Sequence, residues 1–206
     1  MASYRDPYMV FGTGRSGTST VARLMHTRLG VYMGKRFVPA NPTNPEGFYE
    51  DVEFYRANLD FVQGDITYQA WRAMVWVTVV QRRQLERPWG FKESRMGHLL
   101  GLYLGFFDAP RLIWCRRDAN LVIASLQRCY GWKENKARRF YEMRFKTIDR
   151  LLKCRDHLAI DFEGRQLTDD EIIETLRQKW PELKLQDKQR TLPQRLQKLK
   201  VASANP

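Results

Sequence analysis

Residues 10–19, VFGTGRSGTS, decide the fold. An apolar run, Tyr8 to Gly12, ends in a glycine-rich turn, and Val21, Leu24, Met25 and Leu29 then recur at helical spacing until Gly30. That order predicts a strand, a loop and a helix. A strand feeding a glycine-rich turn that opens a helix lets several backbone N–H groups converge on one anion, and the helix N-terminus adds its positive partial charge. The stretch is a phosphate cradle.

Working outward, residues 38–47, VPANPTNPEG, hold three prolines and two asparagines and are expected to be loop. A helix is expected over 48–63 and another over 68–85, although the Val75 to Val80 run suits helix or strand. Residues 89–92 read as a short strand, followed by a helix over 96–106. The run RLIWC at 111–115 is a continuous apolar segment, as an interior parallel strand requires. Asp118 then supplies an N-cap, and Leu121, Val122, Ser125 and Leu126 give the helix period. An amphipathic helix over 135–153 carries a basic face containing Lys136, Arg138, Arg139, Arg144 and Lys146. Residues 157–162 are a candidate fourth strand, and Thr168 with Glu171 forms a capping box before a last helix that Pro181 ends. Strands alternating with helices predict a doubly wound, mainly parallel α/β sheet with helices on both faces, of the P-loop NTPase-like kind.

The chain has 206 residues, enough for one sizeable core. Residues 1–183 read as a single α/β domain and 184–206 as a basic tail, in which six Lys and Arg face Asp187 alone. That tail supplies +5 of the net charge of +12 and reads as a solvated end rather than a dedicated binding arm. The overall charge draws anionic partners without naming one. Cys115, Cys129 and Cys154 are odd in number and have no CxxC spacing, so neither a disulfide framework nor a zinc site is expected. With no signal-peptide pattern and no run of ~20 apolar residues, a reducing, cytoplasmic setting without a membrane span is expected.

Against the nucleotide-triphosphate loop GxxxxGK[ST], Gly12, Gly17 and Ser19 match, but Thr18 stands where the phosphate-bridging lysine belongs. The cation sits inside the loop instead, at Arg15. TGRSGTS resembles the 5'-phosphosulfate loop of sulfotransferases, PKSGTT or PRSGTT. A second segment, RLIWCRRDANLVIASL, resembles that family's 3'-phosphate motif, with Arg117 followed by Asp118 and with Ser125 eight residues on. NPEGFYED (44–51), WGFKESR (89–95) and IDFEG (160–164) are similar to further stretches of bacterial sulfotransferases.

The resemblance implies transfer of a sulfuryl group from 3'-phosphoadenosine 5'-phosphosulfate to a hydroxyl or amine, releasing 3'-phosphoadenosine 5'-phosphate. It implies no metal. Gly14, Arg15, Ser16, Gly17, Thr18 and Ser19 would hold the 5'-phosphosulfate, and Arg117 and Ser125 the 3'-phosphate, with Arg116, Arg128 and the basic helix face as candidates to complete that pocket. Arg15 would neutralise charge on the leaving oxygens, Lys92 would be a second cation, and Glu50, then Glu46, then His98, would be the base. His26 and His157 read as ordinary helix and strand-edge residues. Phe48, Tyr49, Tyr55, Tyr68, Trp71 and Trp76 are core or acceptor-pocket residues. Two other readings remain open here: a small-molecule kinase with a displaced cation, and a non-catalytic nucleic-acid module using the basic and aromatic residues of 132–146.

Overall fold

A computed structural model describes residues 5–93, 96–162 and 167–186. Ser94, Arg95, Glu163, Gly164 and the tail beyond Gln186 lie outside the described residues. β1 (Tyr8–Gly12) is buried throughout and is followed by α1 (Thr18–Thr27). Successive β1 side chains enter opposite cores, Met9 and Phe11 one, Tyr8 and Val10 the other. A strand that is apolar on both faces belongs in the middle of a sheet covered on both sides.

Next come α2 (Val52–Gln63), α3 (Tyr68–Arg83), β2 (Gly90–Lys92), α4 (Met96–Tyr103) and β3 (Arg111–Arg116). α5 (Ala119–Tyr130), α6 (Glu134–Leu152), β4 (Leu158–Asp161) and α7 (Asp169–Lys179) complete the described chain. Among the described residues these four strands pair in parallel, in the order β2-β1-β3-β4. α1 and α7 cover one face, over Tyr8, Val10, Ile113 and Cys115. α2, α3, α4 and α6 cover the other, over Met9, Phe11, Leu112 and Trp114. The doubly wound parallel α/β expectation is met. Among the described residues no helix is long and apolar enough to cross a membrane.

Local chemistry sets most element ends. Asp118 accepts the N–H groups of Asn120 and Leu121 at the start of α5, and Gly131 closes that helix at φ 64°. The Thr168–Glu171 capping box opens α7 as predicted. Three expectations change. α4 stops at Tyr103 rather than at residue 106. α2 starts at Val52, four residues later than the sequence suggests, because Asp51 is its N-cap. The preceding segment is tied to residues 36–38 instead: Val38 N–H donates to the Glu50 carbonyl (2.9 Å) and Val52 N–H to that of Arg36 (2.9 Å). Finally, Arg144 is no solvated member of the α6 basic face, being only 7% exposed.

Where β1 meets the loop the packing leaves no room for a side chain. A Cβ on Gly12 would overlap the Ser16 hydroxyl and lie 2.6 Å from the Cys115 carbonyl oxygen of β3. Gly12→Ala is expected to cost about 3 kcal/mol, lowering Tm by roughly 6–12 °C for a domain of this size. Thermal unfolding followed by circular dichroism measures this, and an unchanged Tm would mean the loop relaxes freely.

Candidate functional site

The chain leaves β1 toward α1 on one face and leaves β3 through α5 toward α6 on the other. Loops departing in opposite directions from neighbouring parallel strands open a crevice at their carboxyl ends. A cleft of about 560 Å³ lies there, and Gly14, Arg15, Thr18, Arg117, Lys92 and Glu50 are among its lining residues.

Gly17 caps α1 with φ 89° and offers no side chain, so no side-chain cap engages the first N–H groups of that helix. Thr18, Ser19 and Thr20 of this turn line the cleft, giving an anion site built of donors and a positive helix end. Arg15 Nε donates to Ser125 Oγ (3.0 Å), and Arg117 Nη1 donates to the Arg15 carbonyl (3.3 Å). Three residues drawn from two distant segments are thus joined at the loop. Among the described residues, the non-glycines with positive φ are Arg15 (56°) and Tyr49 (53°). Each costs roughly 1–2 kcal/mol, and one is a cleft residue while the other precedes one. Strain of this kind gathers at functional sites.

On the β2 side, Lys92 Nζ donates to Glu50 Oε1 at 2.7 Å, and each side chain is 3% exposed. Buried charges persist only when closely paired. Both ends of the pair are braced from behind. Next to Glu50, Asp51 Oδ2 accepts from Arg82 Nη2 at 2.6 Å, and burial raises the Asp51 pKa against the pull of that guanidinium. Next to Lys92, the buried Glu93 accepts from Asn58 Nδ2 (2.6 Å), whose Oδ1 accepts from Trp71 Nε1 and Tyr103 OH (both 2.8 Å). Burial, with Glu93 adding to it, drives the Tyr103 phenol well above its ordinary pKa, so it stays a donor.

No protein-family model matches the chain, and no curated protein matches it in sequence. In structure it is similar to the sulfotransferase domain of the Synechococcus PCC 7002 olefin synthase. The two are 17% identical with a TM-score of 0.51, over 86% of this chain and 74% of that one. The fold is sulfotransferase-like.

Within this sulfotransferase-like fold the residues singled out from sequence separate into two groups. Gly14, Arg15, Gly17, Thr18, Ser19, Arg117, Lys92 and Glu50 share the cleft wall, and Ser125 stands behind Arg15. Ser16 is turned inward and does not line the cleft: the residue is wholly buried, and its hydroxyl has no hydrogen-bond partner among the described residues. Glu46 is not brought in. Its side chain is 76% exposed, 4.0 Å from Arg23, because the tight 41–47 turn aims it at solvent. His98 is exposed on α4, with its pKa lowered by partial burial and by Arg144. His26 packs edge-on to Phe37, and His157 Nδ1 lies 2.9 Å from the Arg155 carbonyl. Arg116 is engaged in a bidentate pair with Asp161, and Arg128 is exposed. Of the aromatic set, Phe48 and Tyr55 line the cleft, and Trp71 is core.

Sequence reasoning assigned no role in this cleft to Asn41, Asn44, Tyr130, Trp132 or Phe140. Asn44 Nδ2 donates to Ser19 Oγ (3.2 Å) and to the Gly47 carbonyl (2.7 Å), tying the 41–47 loop to the first turn of α1. Tyr130 carried no signal, and for Trp132 and Phe140 the available one was the interleaving of aromatic and basic residues over 132–146. Its meaning depended on α6 folding back against the loop.

Proposed function

We propose that the chain transfers a sulfuryl group from 3'-phosphoadenosine 5'-phosphosulfate to a hydroxyl or amine of an acceptor. The observation that carries this reading is the cation inside the loop. Arg15 occupies the cleft, Thr18 replaces the lysine that a triphosphate site needs, and Arg15 is bonded to Ser125 and Arg117. A nucleotide with phosphates at both its 5' and 3' positions supplies anions for a cleft in which Arg15 and Arg117 stand together. The sulfotransferase-like fold supports the same reading.

In this scheme Gly14, Gly17, Thr18 and Ser19 hold the 5'-phosphate through backbone N–H and hydroxyl groups. Arg117 and Ser125 take the 3'-phosphate. Glu50 accepts the proton of the acceptor, whose oxygen or nitrogen forms the new bond to sulfur while the bond from sulfur to the 5'-phosphate oxygen breaks. Arg15 and Lys92 neutralise the charge that develops on the leaving oxygens. Lys92 can turn to that charge because Glu50 loses its own on taking the proton. Kinase and nucleic-acid readings fit less well, since the loop lacks its lysine and the cations converge in a cleft.

Calorimetric titration with 3'-phosphoadenosine 5'-phosphate tests the proposal. Arg117→Ala is expected to weaken binding about 10–100-fold, the worth of one charge-assisted contact. A wild-type chain that ignores this nucleotide, yet turns over ATP with magnesium or binds arbitrary oligonucleotides in a salt-sensitive way, would overturn it.

A further inference from the structure

The α5–α6 side of the cleft carries an aromatic wall that the phosphate chemistry does not use. Tyr130, Trp132 and Phe140 all line the cleft. Ring centroids are 5.5 Å apart for Tyr130 and Trp132, and 5.0 Å apart, edge-on, for Trp132 and Phe140. Two cations sit against these rings: the Arg144 guanidinium 4.0 Å from the Phe140 centroid and the Lys136 ammonium 4.7 Å from that of Trp132. Arg144 lines the cleft while being 7% exposed.

The wall has a defined inner end. Gly14 would place a Cβ 3.9 Å from Arg144 Nη1 and 4.0 Å from Phe140 Cε1, so both reach the glycine before Arg15. Gly97 of α4 leaves the passage for Arg144, since a Cβ there would lie 2.7 Å from its Cγ. α4 is the helix after Lys92, so Arg144 is fixed between the phosphate loop and the strand end that carries the Lys92–Glu50 pair. Phe48 and Tyr55 face the same cleft from the α2 side.

Ring faces carry negative charge and attract flat, polarisable surfaces, but they repel an anion unless a cation stands with them. Aromatics and a buried guanidinium together therefore select a ring that bears a negative group. A neutral sugar offers Arg144 hydroxyl acceptors but no counter-charge, and a long polyanion needs a row of exposed cations rather than one held behind a ring.

We infer that the α5–α6 wall is the acceptor subsite, and that it takes a hydroxylated aromatic carrying a carboxylate or similar anionic substituent. The ring lies along Tyr130, Trp132 and Phe140, the negative group meets Arg144, and the hydroxyl is presented toward Glu50. This rests on the sulfuryl-transfer reading. The hydroxyl proton passes to Glu50, the phenolic oxygen bonds to sulfur, and the electron pair of the broken S–O bond leaves on the 5'-phosphate.

The test uses the full chain with 3'-phosphoadenosine 5'-phosphosulfate and three probes: 4-hydroxybenzoate, phenol and glucose. Wild type is expected to favour 4-hydroxybenzoate over phenol about tenfold or more in kcat/KM, and glucose least. Arg144→Gln removes most of that preference. Trp132→Ala raises the KM for 4-hydroxybenzoate about tenfold while kcat changes less than about threefold. Affinity for 3'-phosphoadenosine 5'-phosphate stays within about threefold in the Trp132 variant, and thermal unfolding reports that both variants fold; Trp132→Leu replaces Trp132→Ala if the latter does not. Equal use of the two phenolic probes, preference for glucose, or a tenfold loss of nucleotide affinity in a folded Trp132 variant would each overturn the acceptor assignment. A wild-type chain that does not bind the nucleotide at all overturns the sulfuryl-transfer reading instead.

Discussion

Replacing Glu50 with glutamine is expected to lower kcat by about 10²–10⁴ while the affinity for 3'-phosphoadenosine 5'-phosphate changes little. Glutamine keeps the shape of the side chain and an oxygen for the Lys92 ammonium, but it cannot take a proton from an acceptor. The alternative is that Glu50 only neutralises Lys92, 2.7 Å away in a buried pair. The two roles separate cleanly. A structural role predicts a loss of stability, because removing one charge of a buried pair leaves the other uncompensated at about 3–5 kcal/mol, with turnover per folded molecule close to wild type. A catalytic role predicts the drop in kcat as well. Thermal unfolding alongside release of 3'-phosphoadenosine 5'-phosphate during turnover reads both, and a kcat within threefold of wild type in folded protein would remove Glu50 from the chemistry.

Arg15→Ala is expected to lower kcat by about 10²–10³ and nucleotide affinity by less than about tenfold. Charge that grows on the bridging and leaving oxygens is stabilised more in the transition state than in the ground state, so losing its counter-charge weighs on turnover. Part of the effect comes through Ser125, which loses its 3.0 Å bond from Arg15 Nε. Arg15→Lys retains a charge but not the planar fork, and falls between the two. The backbone provides a further control, since Arg15 sits at φ 56°. Arg15→Gly relieves that strain, and the variant is expected to be more stable by about 1 kcal/mol and still impaired. Equal losses in kcat and affinity for Arg15→Ala would mean that the side chain serves binding alone.

Much of the fold was legible because its signals are local. The apolar run before Gly12, the period of Val21, Leu24 and Met25, the Asp118 cap and the Thr168–Glu171 box act within one or two turns of chain. The start of α2 was missed for the complementary reason. Residues 48–51 look helical by composition, but hydrogen bonds to residues 36 and 38 and the Asp51 cap keep Glu50 off the helix.

The candidate site divides along the same line. By itself the sequence determined the glycine-rich loop between strand and helix, the cation at Arg15, the missing lysine at Thr18 and the eight-residue spacing of Arg117 and Ser125, because each lies within a strand, turn and helix of fixed geometry. The tertiary structure alone decided what those pieces meet. Parallel register sets Gly12 beside Cys115 and Val10 beside Lys92, which brings Arg15 to Ser125 across 110 residues and Lys92 to Glu50 across 42. The same packing sends Glu46 to solvent and turns Arg144 from a basic helix face into the cleft. Spacing along a chain fixes neighbours one turn away, whereas contacts between distant segments are fixed by which apolar faces the sheet must bury, and no single stretch carries that information.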